Sequence, residues 1–317
     1  MGPSPAISEP APDFRTRLDP PIYFVNVNQD YYQVNCTLDI SRYTPGLPAT
    51  ELAIHQYQQY MLPYTIAQGR QRVLVLGAGP GNDVQAALFS GVQHVDAVEI
   101  DPVLVGISKR FNPAAPYDDP RVTIHVDDAR AFLRRAVPGY DLVVFGFLDS
   151  QALFSYMSNI RLDGYVYTVE SIRSAYALLS ERGVLSLSFF ARQEWLGLKL
   201  YRMVAEATGR IPITYVSNGQ IILCVPRGRD IAAPLKSTRF QQMHVDRIPA
   251  IQPPTDDWPF PLSFEENNPQ RLSSRDRQPA RTFSGGSLRT PRQQLRPEGR
   301  PLLLPRHGIP SAGDKEH

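Results

Sequence analysis

The stretch VLVLGAGPGND, residues 73–83, is where this sequence could most directly do chemistry. An apolar run leads into Gly77, Gly79 and Gly81, and a helix-forming run follows. Glycine serves where the backbone turns sharply and where a ligand comes up against the main chain. A helix start behind such a turn offers unpaired N–H groups and the positive end of its dipole. A glycine triplet alone also reads as a plain strand–helix turn. Acids further along add weight to the ligand reading. Glu99 ends the next strand, VDAVEID, about 20 residues on, where a carboxylate can accept both hydroxyls of a ribose. Asp127 and Asp128 end the third strand, where a carboxylate can take a hydrogen bond from an adenine amino group. Taken singly, each acid reads equally as a loop residue or a helix N-cap. Together they face the crevice in which open α/β sheets bind ligands.

The elements that must position these residues follow a clear alternation from Arg72 onward. Short apolar strands at 73–76, 94–100, 121–126, 140–147 and 183–189 alternate with helical runs at 82–90, 102–111, 129–136, 169–179 and 194–208. Strands alternating with helices predict a mostly parallel sheet covered on both faces. Residues 211–216 and 220–225 read as an antiparallel pair turning at Asn218-Gly219. Upstream, Tyr31 to Ile40 reads as a strand. Thr50 to Ala67 reads as a helix with Thr50 as N-cap and Pro63 ending or kinking it.

Composition sets the limits. The chain has 317 residues, and its net charge of +2 is unevenly placed. From Glu265 onward ten basic residues face six acidic ones, so the tail carries +4 and the remainder −2. A folded part this close to neutral gives no reason to expect nucleic-acid binding. No apolar run approaches the roughly 18 residues of a membrane span, and MGPSPAISEP lacks the features of a secretion signal. Two cysteines, Cys36 and Cys224, suit a reducing compartment and are too few for a disulfide framework. His55, His94 and His125 show no metal-ligand spacing, so no metal is expected. These features predict a cytoplasmic protein. Prolines crowd the first 21 residues and recur after Pro253. The expected division is a disordered N-terminus at 1–21, a strand-and-helix extension at 22–70, a main domain at 71–262 and a disordered basic tail at 263–317. The tail has neither helical nor strand periodicity; an altered reading frame is the competing account of it.

The loop GAGPG-Asn-Asp is not the G-x-G-x-x-G of most dinucleotide folds, because Asn82 takes the third glycine's place. That favours an adenosyl-sulfonium ligand over NAD. The motifs VLVLGAGPGNDVQAAL, VDAVEIDP, RVTIHVDDARAFL, YDLVVFG-LDS, YVYTVESIRSAYALLSERGVLSLSF and TDDWPF resemble the spermidine synthase-like branch of the class I S-adenosylmethionine-dependent transferases. The resemblance runs from about Tyr31 to Pro226 and again over Thr255–Phe260, and extends to bacterial members joined to membrane segments. It implies a Rossmann-like class I methyltransferase fold with a seven-stranded, mostly parallel sheet and an antiparallel C-terminal hairpin. It also implies S-adenosylmethionine or its decarboxylated form as co-substrate. Gly77, Gly79 and Gly81 would surround the amino-acid part, Glu99 the ribose and Asp128 the adenine, while Tyr57-Gln58 would line the acceptor pocket, with a packed helix tyrosine as the competing reading of Tyr57. Tyr165, Tyr167 and Glu170 match a stretch that closes over the site, with core packing as the equal competitor. The DDWP segment would pin the end of the domain, with Trp258 packed.

Two family acids are replaced. Pro80 stands where aminopropyltransferases carry a loop aspartate, and Gly146 where they carry the first acid after the fourth strand; the second falls at Asp149. An alkylamine must lose its proton before it attacks carbon, and near neutral pH the free amine is protonated, so a carboxylate is needed nearby. Asp149 is the candidate for that role, with an N-cap as its structural alternative, and Asp83 could stand in for the loop acid. Three functions are therefore expected in order. The first is aminopropyl or related transfer to a small-molecule amine or other nucleophilic acceptor. The second is small-molecule methyl transfer, which can proceed by positioning alone. The third is a non-catalytic nucleoside-binding domain. A homodimer is left open.

Overall fold

Three antiparallel strands open the computed structural model, which describes residues 6–8, 20–27, 30–147, 165–191, 193–228, 239–245 and 248–259. They are β1 (Ala6–Ser8), β2 (Tyr23–Val27) and β3 (Asp30–Asn35), in the order β1-β2-β3. β1 falls inside the stretch for which the sequence predicts disorder. β3 ends five residues earlier than the run to Ile40 suggests, because Asp39 turns the chain by accepting from the Ser41 N–H, opening a short 3-10 turn at Ile40–Arg42. Helix α1 (Pro48–Ile66) begins two residues before Thr50. Pro48 sets the first turn with a backbone angle already helical. Thr50 lies inside that turn and donates its hydroxyl to the Thr44 carbonyl. Pro63 is accommodated in the last turn.

The main sheet is built on β4 (Arg72–Leu76), β5 (His94–Glu99), β6 (Val122–Val126), β7 (Tyr140–Phe145) and β8 (Leu179–Phe190), all parallel. Next come β9 (Ile213–Ser217) and β10 (Gln220–Pro226), joined by a two-residue turn in which Asn218 and Gly219 both have positive φ, as a tight hairpin requires. The sheet order is β11-β9-β10-β8-β7-β4-β5-β6, with β10 antiparallel to β8. It holds eight strands, one more than the seven expected, because Gln241–Met243 adds β11 at the edge against β9.

Alternation along the parallel strands sorts the core into two layers. Val73, Val75, Leu142 and Val144 face one side with Val84, Ala86 and Ala87 of α2 (Asn82–Phe89) and Val105 of α3 (Pro102–Phe111). Leu74, Leu76, Val143 and Phe145 face the other, packed with Phe132 of α4 (Ala129–Arg135), Ile172 of α5 (Val169–Ala177) and Leu200 of α6 (Glu194–Thr208). A side chain such as Phe145, fully buried here, contributes about 1.5–3 kcal/mol over its exposed state. Both cysteines are buried and free, and burial pushes each thiol up to about 12. No helix among the described residues is long and apolar enough to cross a membrane.

The strand order reverses between β4 and β7: the chain continues from β4 to one side and from β7 to the other. The C-terminal ends of these two strands therefore flank the crevice where open α/β sheets take ligands. Gly77 follows β4, Gly146 follows β7, and the Gly146 N–H donates to the Leu76 carbonyl at 3.1 Å.

Candidate functional site

The glycine loop turns as its composition demands. Gly77, Gly79 and Gly81 all have positive φ, and Gly81, at +94°, is the N-cap of α2. A Cβ on Gly81 would stand 2.7 Å from Pro116 Cγ and 2.9 Å from Ser108 Oγ. Both backbone conformation and space thus select glycine. Gly81→Ala is expected to cost about 2–3 kcal/mol of folding stability, from left-handed strain together with overpacking. Urea denaturation measures it, and a loss below about 1 kcal/mol would contradict this account of the loop.

The loop is pinned from several sides. Gly77 and Ala78 donate to the Val98 carbonyl, each at 2.9 Å. The Tyr117 hydroxyl donates to the Gly79 carbonyl at 2.7 Å, and Asn112 Nδ2 to the Pro80 carbonyl at 2.9 Å. From the N-terminal side, Asn82 Nδ2 donates to the Val34 carbonyl, Gln85 Nε2 to the Cys36 carbonyl, and the Leu38 N–H to Gln85 Oε1. Tyr117, Asn112, Tyr60 and Gln85 carry no sequence signal, since each acts on backbone or side chains far along the chain.

Glu99 stands at the end of β5 directly beneath the loop. Its Oε2 accepts from the Gly79 N–H at 2.7 Å and its Oε1 from the Asp101 N–H at 2.9 Å. Burial raises its pKa against the pull of those backbone bonds. A carboxylate has about four acceptor sites, and the backbone donors from Gly79, Asp101 and Ile100 do not fill them all, so the group can still accept from a ligand hydroxyl. At the end of β6, Asp127 N–H donates to the Glu99 carbonyl at 3.1 Å, tying the two strand ends together. Asp127 pairs with Arg135 and accepts from the Asp128 N–H. Asp128 is the N-cap of α4, one oxygen taking the Ala131 N–H at 2.8 Å. The structure thus brings Gly77, Gly79, Gly81, Glu99, Asp127 and Asp128 to adjacent strand ends. Asp149 lies outside the described residues.

Tyr57 and Gln58 sit elsewhere. The Tyr57 ring meets Phe89 at the far end of α2, with centroids 6.0 Å apart, and Gln58 Oε1 accepts from the Arg239 N–H. The α1 residues that reach the loop end of α2 are Tyr60, whose hydroxyl accepts from Gln33 and Asn82, and Tyr64, whose hydroxyl donates to the Asp83 carbonyl at 3.4 Å. Tyr167 is core, edge-on to Phe189 at 5.0 Å, while Tyr165 is exposed. Asp256 braces the start of α5: it accepts from the Thr168 hydroxyl at 2.7 Å, pairs with Arg130, and donates its N–H to Glu170 Oε2 at 2.9 Å. Trp258 is 41% exposed rather than buried.

Asp83, in the first turn of α2, is a second buried acid beside the loop. Its Oδ2 lies 2.9 Å from where a Cβ on Gly146 would stand, and the Gly77 carbonyl oxygen lies 3.0 Å from the same point. Burial pushes this carboxyl up to about 7.

Comparison with known proteins places this geometry in a family. The model described as "Spermine/spermidine synthase domain" matches residues 55–215. Putrescine N-methyltransferase 1 of Nicotiana tabacum is 37% identical over 98 residues, which are 30% of this chain and 24% of that protein. Polyamine aminopropyltransferase of Streptococcus pneumoniae is 28% identical over 178 residues, 54% of this chain and 56% of that protein. The chain thus spans from about a quarter to about half the length of these curated relatives. The solved spermidine synthase from Thermotoga maritima superposes with a TM-score of 0.49 at 16% identity, covering 66% of each chain. With its matched segment running from α1 through the glycine loop and the parallel sheet into β9, the chain belongs to the spermine/spermidine synthase domain family.

Proposed function

We propose that this chain is a spermidine synthase-like transferase. It binds S-adenosylmethionine or its decarboxylated form and transfers an aminopropyl or related group to a small amine. The carrying observation is the glycine loop lying over a buried Glu99 at the sheet's reversal point, inside the matched family domain. The relatives named as acting on polyamines fit this reading.

The residues suggest how the reaction is held. Gly77 to Gly81 bring main-chain groups to the charged end of the co-substrate with no side chain between. Glu99 accepts from the ribose hydroxyls, and the Asp127-Asp128 corner lies where the base would sit. In the displacement, the amine nitrogen forms a bond to the carbon beside sulfur. The C–S pair leaves to sulfur, the sulfonium becomes a neutral thioether, and the nitrogen sheds one proton to a carboxylate. Asp149 is the sequence candidate for that carboxylate.

The test is incubation of the purified chain with each co-substrate and a diamine, followed by mass spectrometry. Gain of an aminopropyl unit from the decarboxylated co-substrate supports the proposal. Gain of a methyl from S-adenosylmethionine replaces it with methyl transfer, and binding without turnover leaves a nucleoside-binding domain. Glu99→Ala is expected to weaken nucleoside binding by roughly 1–3 kcal/mol, since it removes a charged hydrogen-bond partner. Unchanged affinity by calorimetry would overturn the ribose assignment.

A further inference from the structure

Arg239 is a half-buried cation that meets no carboxylate among the described residues. Its Nη2 donates to Gln220 Oε1 at 2.5 Å and to Gln59 Oε1 at 3.3 Å, and its guanidinium lies over the Phe240 ring at 4.8 Å. Gln220 Nε2 donates to Gln59 Oε1 at 2.6 Å, and Gln58 Oε1 holds the Arg239 main chain. These amides orient the guanidinium and leave its charge uncompensated. Its buried Nε finds no acceptor among the described residues. The Nε donor and the whole charge therefore remain for a ligand. A charge taken out of water without a counter-ion is costly, and it is kept where something else supplies the anion.

Its place in the fold says what that ligand is. Gln220 opens β10 and pairs with Phe190, the last residue of β8, so it stands at the same end of the sheet as the glycine loop. Gln59 precedes Tyr60 on α1, and the Tyr60 ring meets Phe147, just past Gly146, with centroids 6.4 Å apart. The nucleoside features occupy the ends of β4, β5 and β6. Arg239 lies across the reversal point from them, on the side left for the acceptor. From β4 to β10 is three strand spacings, roughly 14 Å, too far for a carboxylate seated on the glycine loop. His55, one turn before Gln59, adds no second charge near neutral pH, because burial first and then Arg239 lower its pKa. A single guanidinium balances a monoanion and repels the far ammonium of a diamine. We propose that Arg239, held by Gln59 and Gln220, binds a carboxylate of the acceptor, which makes the acceptor an amine with a carboxylate at its other end. This assignment rests on the transferase reading above and names the acceptor class for it.

The probes are straight-chain ω-amino acids of three to six carbons and the diamines matched to each in length, which differ in whether the far end is an anion or a cation. Each is titrated by calorimetry at pH 7.5 into the full chain saturated with 5′-methylthioadenosine, whose own binding is measured first. Wild type is expected to bind the best amino acid at least tenfold tighter than its matched diamine. Arg239→Gln is expected to bind that amino acid at least tenfold more weakly and 5′-methylthioadenosine within twofold of wild type. Arg239→Lys keeps the charge and is expected to retain a preference for the amino acid, which a packing role alone would not produce. In a second arm, S-adenosylmethionine and its decarboxylated form are titrated into wild type and Arg239→Gln, and the variant is expected to bind both as wild type does. A variant weakened on S-adenosylmethionine alone gives the carboxylate to the co-substrate and overturns the assignment. Wild type that favours the diamines, binds both kinds equally or binds neither overturns it without any variant, so a variant that fails to fold does not remove the test. Wild type that binds no nucleoside at all overturns the transferase reading and this assignment with it.

Discussion

At pH 8, Asp83→Asn is expected to be more stable than wild type, and the gap between the two proteins should open with pH. In the unfolded chain the Asp83 carboxyl titrates near 3.8, whereas in the fold burial pushes it up to about 7. Below pH 3.8 both states hold the proton and nothing is lost. Between 3.8 and 7 the unfolded state ionises while the folded state keeps its proton, so wild-type stability falls as pH rises. Above 7 the loss is complete. At about 1.4 kcal/mol per pKa unit, it amounts to roughly 4 kcal/mol. Asparagine has the same shape and no such slope. Chemical denaturation of both proteins at pH 4.5, 6 and 8 measures the gap. A constant difference across that range would show that the carboxyl finds solvent or a donor.

The opposite result is expected at Asp96, the same residue type in the same sheet. Asp96→Ala should destabilise the protein by about 1–3 kcal/mol, chiefly by leaving the buried Tyr140 hydroxyl without its acceptor. Asp96 lies in the middle of β5 and is a hub. Its Oδ2 accepts from the Tyr140 hydroxyl at 2.8 Å and from Arg72 at 3.1 Å, and its Oδ1 meets His125 Nε2 at 2.9 Å and His94 Nε2 at 3.4 Å. Arg72 also stacks over the Tyr140 ring at 4.3 Å. One carboxylate thus ties residues of β4, β5, β6 and β7. Burial alone would raise its pKa, but the bonds from His125, Tyr140 and Arg72 overcome burial and hold it below the usual value. The sign is therefore reversed relative to Asp83. This contribution is present above the unfolded-state value of 3.8 and is lost as pH falls through the lower folded-state value. Removing the carboxylate strands the fully buried end of Tyr140 and an arginine held against the sheet. Urea unfolding at pH 7 measures the cost, and a loss under about 1 kcal/mol would mean that solvent satisfies these groups.

The fold was legible wherever a local pattern repeats. β4 to β7 are short apolar runs between helical ones, and their parallel direction follows from that alternation. The glycine loop, Glu99 and the Asp127-Asp128 corner were legible because each falls at a strand end, and strand ends can be counted. β11 was not, because three residues carry no period and are held only by pairing with β9. Tyr57, Tyr60 and Tyr64 share one helical stripe, so the sequence alone does not say which of them meets the start of α2. That depends on how α1 is set along α2. Asp83 and Gly146 lie 63 positions apart. Their proximity arises because β4 and β7 are neighbours in the sheet though not in the chain. Asp96 was equally silent, since an acid inside an apolar strand has no meaning until its four partners from other positions are in view.

Asn82 and Gln85 bear on the inheritance of this site. Their amides bind the chain at Val34, Cys36 and Leu38, so the first turn of the ligand helix is laced to residues 47 to 49 positions upstream. Those upstream residues supply no acid, base or ligand contact in the proposed chemistry. Yet a chain begun at Arg72, with the whole parallel sheet and every strand-end acid, would leave both amides unanswered beside the glycine loop. The ribbon before α1 and the crevice between β4 and β7 therefore form one unit of exchange. A recombination point placed between them would break the crevice, while one placed before β2 would spare these bonds.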